Sequence, residues 1–360
     1  MGRVTLQTIA DHVGVSRMTV SNAFSKPDQL STGLRQRILA AAAELGYGGP
    51  DAAARALARG STGTVGVLLT GDLRYAFTDE VATNFLGAIV DELAPTGLAL
   101  TLLPEVSRED VTPARDVAMD GALVYSCNPE LPALDVLRRR RIPLVYVDQV
   151  PTTGVASVNV EDRSGAREAA QHLLDLGHRD VGIITLSLAG PHGVLVDDAD
   201  IPAGDAHVSS QRLLGWRDAL AAAGVRPRLV RQRHCRVDEA YGAARVLLDR
   251  PDRPTAVLCF SDAIAQGVVH VAEDLGLRVP DDLSVVGFDD NPLAHRMRPA
   301  LTTVRQDLEA KGRAAAAALT TAIEAARSGT PEQPRQVTLP TELVIRTSTA
   351  PAPAHRTPAS

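Results

Sequence analysis

The 360-residue sequence predicts an α/β protein with an N-terminal all-α helix-turn-helix head and a two-lobed body built on parallel sheets. Three observations predict it. From Val65 onward, apolar β-type runs recur with helical stretches between them, the pattern of parallel strands covered on both faces. The first 60 residues lack such runs and instead carry short helical segments separated by glycine and capping residues. The roughly 285 residues of alternating pattern exceed one ordinary core and call for two.

Taken in order, Thr5 offers a hydroxyl to cap a first helix through Leu6, Ile9 and Ala10 to His12. Gly14 makes a turn, and Ser16 caps a second helix over Arg17 to Phe24. Two short helices around such a turn form the motif that enters a DNA major groove. Ser31 caps a third helix, with Leu34, Ile38, Leu39, Ala42 and Leu45 at helical spacing. An Ala-rich stretch, Asp51 to Gly60, reads as a fourth helix that is marginal alone in water. The expected strands are Val65–Thr70, Leu98–Leu103, Ala122–Ser126, Pro143–Val147, Val181–Leu186, Ala256–Phe260 and Leu283–Phe288. Helices are expected over Asn84–Leu93, Ala166–Leu176, Gln211–Ala223, Glu239–Leu248 and Ala263–Leu275. The Pro- and Ala-rich composition of Pro351–Ser360 predicts disorder, and the tail boundary is placed at residue 348.

Charge is uneven. Residues 1–60 hold seven Lys and Arg against four Asp and Glu, a net of +3, while the remainder holds 30 against 39, a net of −9. A basic head on an acidic body suits nucleic-acid contact by the head, and so modest a charge calls for a dimer to double the phosphate contacts. The three cysteines, Cys127, Cys235 and Cys259, have no metal-type spacing and read as reduced thiols. Absence of a membrane-length apolar run and of a signal-peptide pattern leads to the expectation of a cytoplasmic protein, with no membrane partner, cofactor or metal.

The motifs then resemble the LacI/GalR family of ligand-responsive transcription regulators over nearly the whole chain. The head carries VTLxxIAxxxGVSxxTVS from Val4, and Pro50–Ala58 carries PxxxARxLA. The body carries VGVLL at Val65, GHRDVGIIT at Gly177, RLLGWRDAL at Arg212, SDAIAQG at Ser261, DLSVVGFDDNP at Asp282 and PALTTVRQD at Pro299. The resemblance implies a DNA-binding head (residues 1–48), a linker and hinge helix (49–62), and a core like that of periplasmic sugar-binding proteins. Its N-terminal lobe is expected over 63–160 plus 291–322, its C-terminal lobe over 161–290 plus 323–347. The implied crossings fall near Val160, Asn291 and Ala322.

By family position, Arg17, Met18 and Asn22 are the base-reading candidates: Arg pairs bidentately with guanine, Asn with adenine, and Met offers apolar contact. Thr5, Ser16, Thr19, Ser21 and Ser31 are phosphate candidates; for Ser16 and Ser31, capping explains the residue equally well. The resemblance makes Leu57 the side chain that wedges the minor groove at the operator centre, flanked by Arg55 and Arg59 near phosphates. The segment Tyr47-Gly48-Gly49-Pro50 departs from the family by one extra residue.

For the cleft between lobes, the resemblance gives Arg212 as ligand anchor, Asp289 as hydroxyl-binding carboxylate, and Asp148, Ser261, Asp72, Tyr75 and Phe77 as lining positions. Arg212 could instead pair with a structural carboxylate, and Asp289 or Asp290 could cap the next turn. Asp262 reads as the cap of helix Ala263–Leu275, and Trp216 as core. His234-Cys235 stands where the family often has an aromatic. Gly190 to His207, with Asp197, Asp198, Asp200 and Asp205, is an insertion: a lid, a mobile surface loop, or a segment without a role.

The expected function is a repressor, a homodimer on a near-palindromic duplex, whose operator affinity a small molecule (a sugar or sugar derivative) controls. The rival is a stand-alone sugar-binding protein. No nucleophile elbow, HExxH site, P-loop or dinucleotide fingerprint is present, so no enzyme activity is expected.

Overall fold

The computed structural model describes residues 4–49, 51–69, 73–104, 112–126, 131–187, 191–196, 206–330 and 333–353. The chain divides into two compact units, Met1–Gly63 and Thr64–Ser360.

The first unit holds α1 (Leu6–Val13), α2 (Arg17–Ser25), α3 (Thr32–Glu44) and α4 (Ala52–Arg59). Thr5 and Thr8 form a reciprocal capping box on α1, and Gly14 closes it at φ 78°, a left-handed conformation that favours glycine. Ile9, Val20, Ala23 and Ile38 make a small core, against which Val15, Phe24 and Tyr47 pack. Phe24 and Tyr47 meet edge to face at 5.8 Å, fixing the chain beyond α3.

The second unit is built on two sheets. The first lobe runs β1 (Thr64–Leu69), α5 (Tyr75–Thr78), α6 (Glu80–Leu93), β2 (Ala99–Leu103), α7 (Thr112–Asp116), β3 (Gly121–Tyr125), α8 (Pro132–Arg140), β4 (Leu144–Val147) and β5 (Ala156–Val160). The chain then enters the second lobe with α9 (Asp162–Asp175), β6 (Val181–Leu186), β7 (Leu195–Val196), α10 (His207–Ala222), β8 (Arg228–Gln232), α11 (Val237–Leu248) and β9 (Ala256–Cys259). It continues there through α12 (Asp262–Asp274), β10 (Ser284–Asp289), α13 (Pro292–Arg296) and β11 (Thr302–Gln306). Last come α14 (Leu308–Ser328), β12 (Gln336–Leu339) and β13 (Thr341–Val344). The sheet orders are β12-β5-β4-β3-β1-β2 and β13-β11-β10-β9-β6-β8-β7. The first is all parallel; the second is parallel except at its edges, β13 and β7.

Each sheet buries both faces, which is why its strands read as continuous apolar runs. Phe85 and Ile89 of α6 with Leu319 and Ile323 of α14 cover one face of the first sheet, and Leu134 and Leu137 of α8 the other. In the second lobe, Leu173, Trp216 and Leu220 cover one face, and Leu247 and Val268 the other.

Two expected crossings are corrected. The chain stays in the second lobe past Asn291, because β11 pairs in parallel with β10, and it leaves only after Gln306. Ala322 lies inside the 21-residue α14, whose Leu319 and Ile323 belong to the first lobe, so no crossing occurs there. The return falls at Pro340, between β12 in the first sheet and β13 in the second. The tail boundary is corrected as well. Ser348 is fully buried, its hydroxyl donating to the Val285 carbonyl at 2.6 Å and accepting from the Thr302 N–H at 2.8 Å. Buried His178 lies within 3.0 Å of the Ala350 carbonyl, and Ala352 N–H donates to the Leu176 carbonyl. Residues 348–353 are therefore laced onto the second lobe; 354–360 lie outside the described residues.

Part of the insertion is structural too: Leu195–Val196 pairs antiparallel with β8, and His192 Nε2 lies 2.9 Å from the Ser187 carbonyl. Its acids Asp197, Asp198, Asp200 and Asp205 lie outside the described residues. Among the described residues, no helix is long and apolar enough to cross a membrane, and no cluster of three His, Cys, Asp or Glu could hold a metal ion.

Candidate nucleic-acid interface and interlobe cleft

In the head, the capping hydroxyls are committed as acceptors. Thr5 Oγ1 accepts from the Thr8 N–H at 3.3 Å, Ser16 Oγ from Thr19 N–H at 3.0 Å, and Ser31 Oγ from Leu34 N–H at 3.4 Å. A hydroxyl that accepts in a cap still carries its O–H, so capping and donation to a phosphate are compatible. Ser16 and Thr19 hydroxyls also bond each other at 2.8 Å. Arg17 is exposed and Met18 is 69% exposed, the apolar side chain standing out from α2 although Val20 and Ala23 beside it are buried. Ser21 and Asn22 are half-buried; the Asn22 amide donates to Gln29 Oε1 at 3.2 Å. On α4, Arg55 is exposed and Leu57 is 86% exposed, the most exposed large apolar side chain among the described residues.

In the core, strands of both sheets end in non-glycine residues with left-handed backbone: Ser126 after β3 (φ 48°), Asp148 after β4 (φ 55°), and Asp289 and Asp290 at the end of β10 (φ 115° and 54°). Such conformations cost of order 1–3 kcal/mol each and mark places where side chains are aimed for a purpose. Carboxyl ends of parallel strands are also where open α/β sheets bind ligands.

At these ends a buried polar chain runs from lobe to lobe. In the first lobe, Lys311 Nζ donates to Asp148 Oδ2 at 2.7 Å and to Gln306 Oε1 at 2.8 Å. The Gln306 amide donates to Asp289 Oδ1 at 2.7 Å. Arg212 donates to the same oxygen at 3.3 Å, to Asp162 Oδ1 at 2.8 Å and to the Phe260 carbonyl at 2.6 Å, its guanidinium 3.5 Å from the Phe288 ring centroid. Arg212 thus both pairs with a structural carboxylate, Asp162, and reaches Asp289. Burial pushes the Asp289 carboxyl up to about 7 against the opposing pull of Arg212, and raises Asp162 and Asp262 above the ordinary range. A second bridge joins the lobes where Glu80 of α6 accepts from the Leu293 N–H at 3.2 Å and pairs with Arg296.

Ser261, buried, caps α12 by accepting from Ile264 N–H at 3.2 Å, and Cys235 Sγ lies 2.7 Å from its Oγ. The cap expected of Asp262 is therefore made by Ser261. Asp262 accepts instead from the Thr303 hydroxyl at 2.6 Å and the Asn291 N–H at 3.0 Å, fastening β10 and β11 to α12. Neither Asp289 nor Asp290 caps α13; Asn291 does, and Asp290 is held by Arg305 and Arg346. Phe77 is 70% exposed and stands apart from the buried chain. Asp72 lies outside the described residues, as does the side chain of Tyr75.

Residues 5–49 match the profile of bacterial regulatory proteins of the lacI family, and residues 170–349 that of a periplasmic binding protein-like domain. An HTH-type transcriptional regulator of Mycolicibacterium smegmatis is 37% identical over 334 residues, covering 87% of this chain and 89% of its own. The chain belongs to the LacI family. Among solved structures, the complex of the transcriptional regulator CelR with cellobiose aligns with TM-score 0.69 at 29% identity, over 96% of this chain and all of that one. The lac repressor dimer bound to operator and the anti-inducer ONPF aligns with TM-score 0.76 at 25% identity, over 97% of this chain and all of that one. The protein is a LacI-family transcriptional regulator, with a DNA-binding helix-turn-helix head and a core of the periplasmic-binding-protein type.

For this regulator, the sequence singled out Asp148, Arg212, Ser261 and Asp289, and all four lie among the buried groups at the strand ends. It missed Asp162, Lys311 and Gln306. Asp162 opens α9 directly after the first crossing, and Gln306 and Lys311 flank the second. A correct placement of the crossings was the signal that would have found them.

Proposed function

We propose that this chain is a homodimeric repressor that binds a near-palindromic operator and whose operator affinity is set by a small sugar-like molecule between the core lobes. The observation that carries the reading is the buried chain Asp148–Lys311–Gln306–Asp289–Arg212–Asp162, which ties the carboxyl ends of both sheets together. Buried charges inserted in one continuous line across two lobes are weakly stabilising at best, so a binding role explains them better than stability does. CelR in complex with cellobiose and lac repressor on its operator, both aligned over nearly the whole chain, support a sugar ligand, a dimer and a repressor role.

On the DNA side, Arg17 and Asn22 read guanine and adenine edges and Met18 contacts an apolar base edge. Hydroxyls of Thr5, Ser16, Thr19, Ser21 and Ser31 reach phosphates alongside Arg55. Leu57 wedges a central minor-groove step; its exposure on a short helix is the surface such a wedge needs. In the cleft, Asp289, Arg212, Asp148 and Ser261 hold ligand oxygens. The ligand favours one arrangement of the lobes, and the operator another, so each shifts the population away from the other's partner or toward it.

The test is selection of duplexes from a random library by the full chain, followed by anisotropy titrations. The expected result is a two-fold symmetric sequence, bound with an affinity that falls steeply with salt and drops at least tenfold in Leu57→Ala. A sugar panel added to the complex then changes affinity in the native chain and not in Asp289→Asn. Recovery of no symmetric duplex, with or without the panel, defeats the reading.

A further inference from the structure

Each lobe carries the same three-part unit at its strand ends. In the second lobe a cation, Arg212, lies against the rings of Phe288 and Phe260 at 3.5 and 4.6 Å and beside the carboxylate of Asp289. In the first lobe a cation, Lys311, lies 5.9 and 5.8 Å from the rings of Phe85 and Tyr125, themselves stacked at 4.5 Å, and beside the carboxylate of Asp148. Gln306 joins the two units, accepting from Lys311 and donating to Asp289.

The first-lobe unit is incomplete as a structural ion pair. Asp148 Oδ1 is shielded from solvent, the residue being only 5% exposed, and has no hydrogen-bond partner among the described residues. Lys311 is 1% exposed; two of its three N–H donors are matched by Asp148 Oδ2 and Gln306, and the third has no partner among the described residues. An unmatched acceptor and an unmatched donor on one pair, 2.7 Å across, are the complement of a vicinal diol: one hydroxyl donates to the carboxylate, its neighbour accepts from the ammonium. If Lys311 served packing alone, an aliphatic side chain would fill the site without the desolvation penalty of a buried charge.

Charge around the cleft decides the ligand class. Among the described residues, four carboxyl side chains, Asp148, Asp162, Asp262 and Asp289, are buried, against three cations, Lys311, Arg212 and Arg231. A phosphate or carboxylate ligand would add to a buried excess of acid, whereas hydroxyls satisfy carboxylates and cations alike.

We propose that Lys311 is an effector-contacting, specificity-determining residue, and that the effector is a neutral polyol presenting one diol to Asp148 and Lys311 and another to Asp289 and Arg212. This rests on the reading of the cleft as a ligand site given above. The pair is closed to water with the lobes as they stand, so the ligand reaches it when they part.

The experiment is isothermal titration of the full chain with a panel of neutral mono- and disaccharides and alditols, set against their phosphate and uronate derivatives. The variants are Lys311→Met, Asp289→Asn, and the double variant Asp148→Asn with Lys311→Met, which leaves no buried unpaired charge and guards against misfolding of the single variant. The expected result is a neutral binder whose anionic derivatives bind at least roughly tenfold more weakly, and whose affinity falls roughly tenfold or more in the double variant. Deoxy analogues of the binder weaken for the native chain, and one of them weakens no further in the double variant. Native affinity in the double variant, together with loss in Asp289→Asn, overturns the role of Lys311 and leaves the cleft reading intact. Tighter binding of an anionic derivative overturns the ligand class. No binding from either panel, or binding unchanged in every variant, overturns the cleft reading and this inference with it.

Discussion

Removing Arg212 removes the one cation that Asp162, Asp289 and the Phe260 carbonyl share. In Arg212→Ala two buried carboxylates lose their partner, a change that costs about 3–5 kcal/mol when one member of a buried pair is deleted. Protonation limits that loss. Neutralising a carboxyl that starts at 3.8 requires about 4 kcal/mol at pH 7 and about 2 kcal/mol at pH 5. Asp289, already raised to about 7, is close to half protonated at neutral pH and adds little, so Asp162 sets the scale. Asp162 already stands above 3.8 in the native chain, so part of that cost precedes the substitution, and the expected loss lies between about 1 and 4 kcal/mol at pH 7 and shrinks on acidification. The assay is urea unfolding followed by tryptophan fluorescence. The chain has a single tryptophan, Trp216, one turn from Arg212 on α10 and 1% exposed in the core of the second lobe. A loss below about 1 kcal/mol at pH 7, or one that grows on acidification, refutes the argument that Arg212 neutralises buried carboxylates.

Asp289 carries its own pH signature. Its folded value of about 7 lies above the ordinary 3.8, so the native state holds a proton that the unfolded chain releases; the stability this confers is fully present below about 4 and lost as pH rises through 7. Asp289→Asn removes that dependence, and the gap between native and variant unfolding midpoints should open between pH 4 and 7 and stay constant above; a gap that does not move with pH counts against the raised value. A Cβ at Gly215 would stand 2.2 Å from the Arg163 carbonyl oxygen and 2.9 Å from the Ala166 Cβ, forcing α9 and α10 apart. Gly215→Ala should cost about 3 kcal/mol in thermal or urea unfolding and loosen the Arg212–Asp162 pair, and a near-neutral result would show that the helices yield easily. Ser16→Ala removes the α2 cap at a cost of about 1 kcal/mol, so α2 amides of the full chain should exchange roughly fivefold faster, whereas unchanged exchange would mean that the cap is idle.

The head was the most legible part of the sequence, because its signals are local. Thr5, Gly14, Ser16 and Ser31 act on residues within three or four positions, and each cap forms as the sequence reads. Central strands of both sheets were legible because burial on two faces makes them continuous apolar runs. Edge strands were not: Gln336–Leu339 and Thr341–Val344 are half-exposed, and nothing on either side of Pro340 announces that they belong to different sheets. Helix α14 escaped because its buried face sets Lys311, Gly312, Ala315 and Ala316 between Leu308 and Leu319, which breaks the apolar period. That one omission displaced two crossings and hid Lys311 and Gln306 from the list of site residues. Asp162 was missed for a related reason, since its partner Arg212 is 50 residues away and only the packing of α9 on α10 joins them.

Interleaving of the lobes also bears on how the protein is made. The first sheet lacks an edge strand until residue 339 is in place, and the second until residue 344. During synthesis, strands β1 to β5 emerge early yet wait for α14 to cover Phe85 and Ile89, while the second lobe grows beside them. A nascent chain of some 300 residues therefore displays an apolar sheet face that α6 covers without α14, the kind of surface that chaperones hold and that aggregates when they do not. Production yield, more than the stability of the finished molecule, should be governed by substitutions between residues 308 and 344, where both halves are closed almost at once.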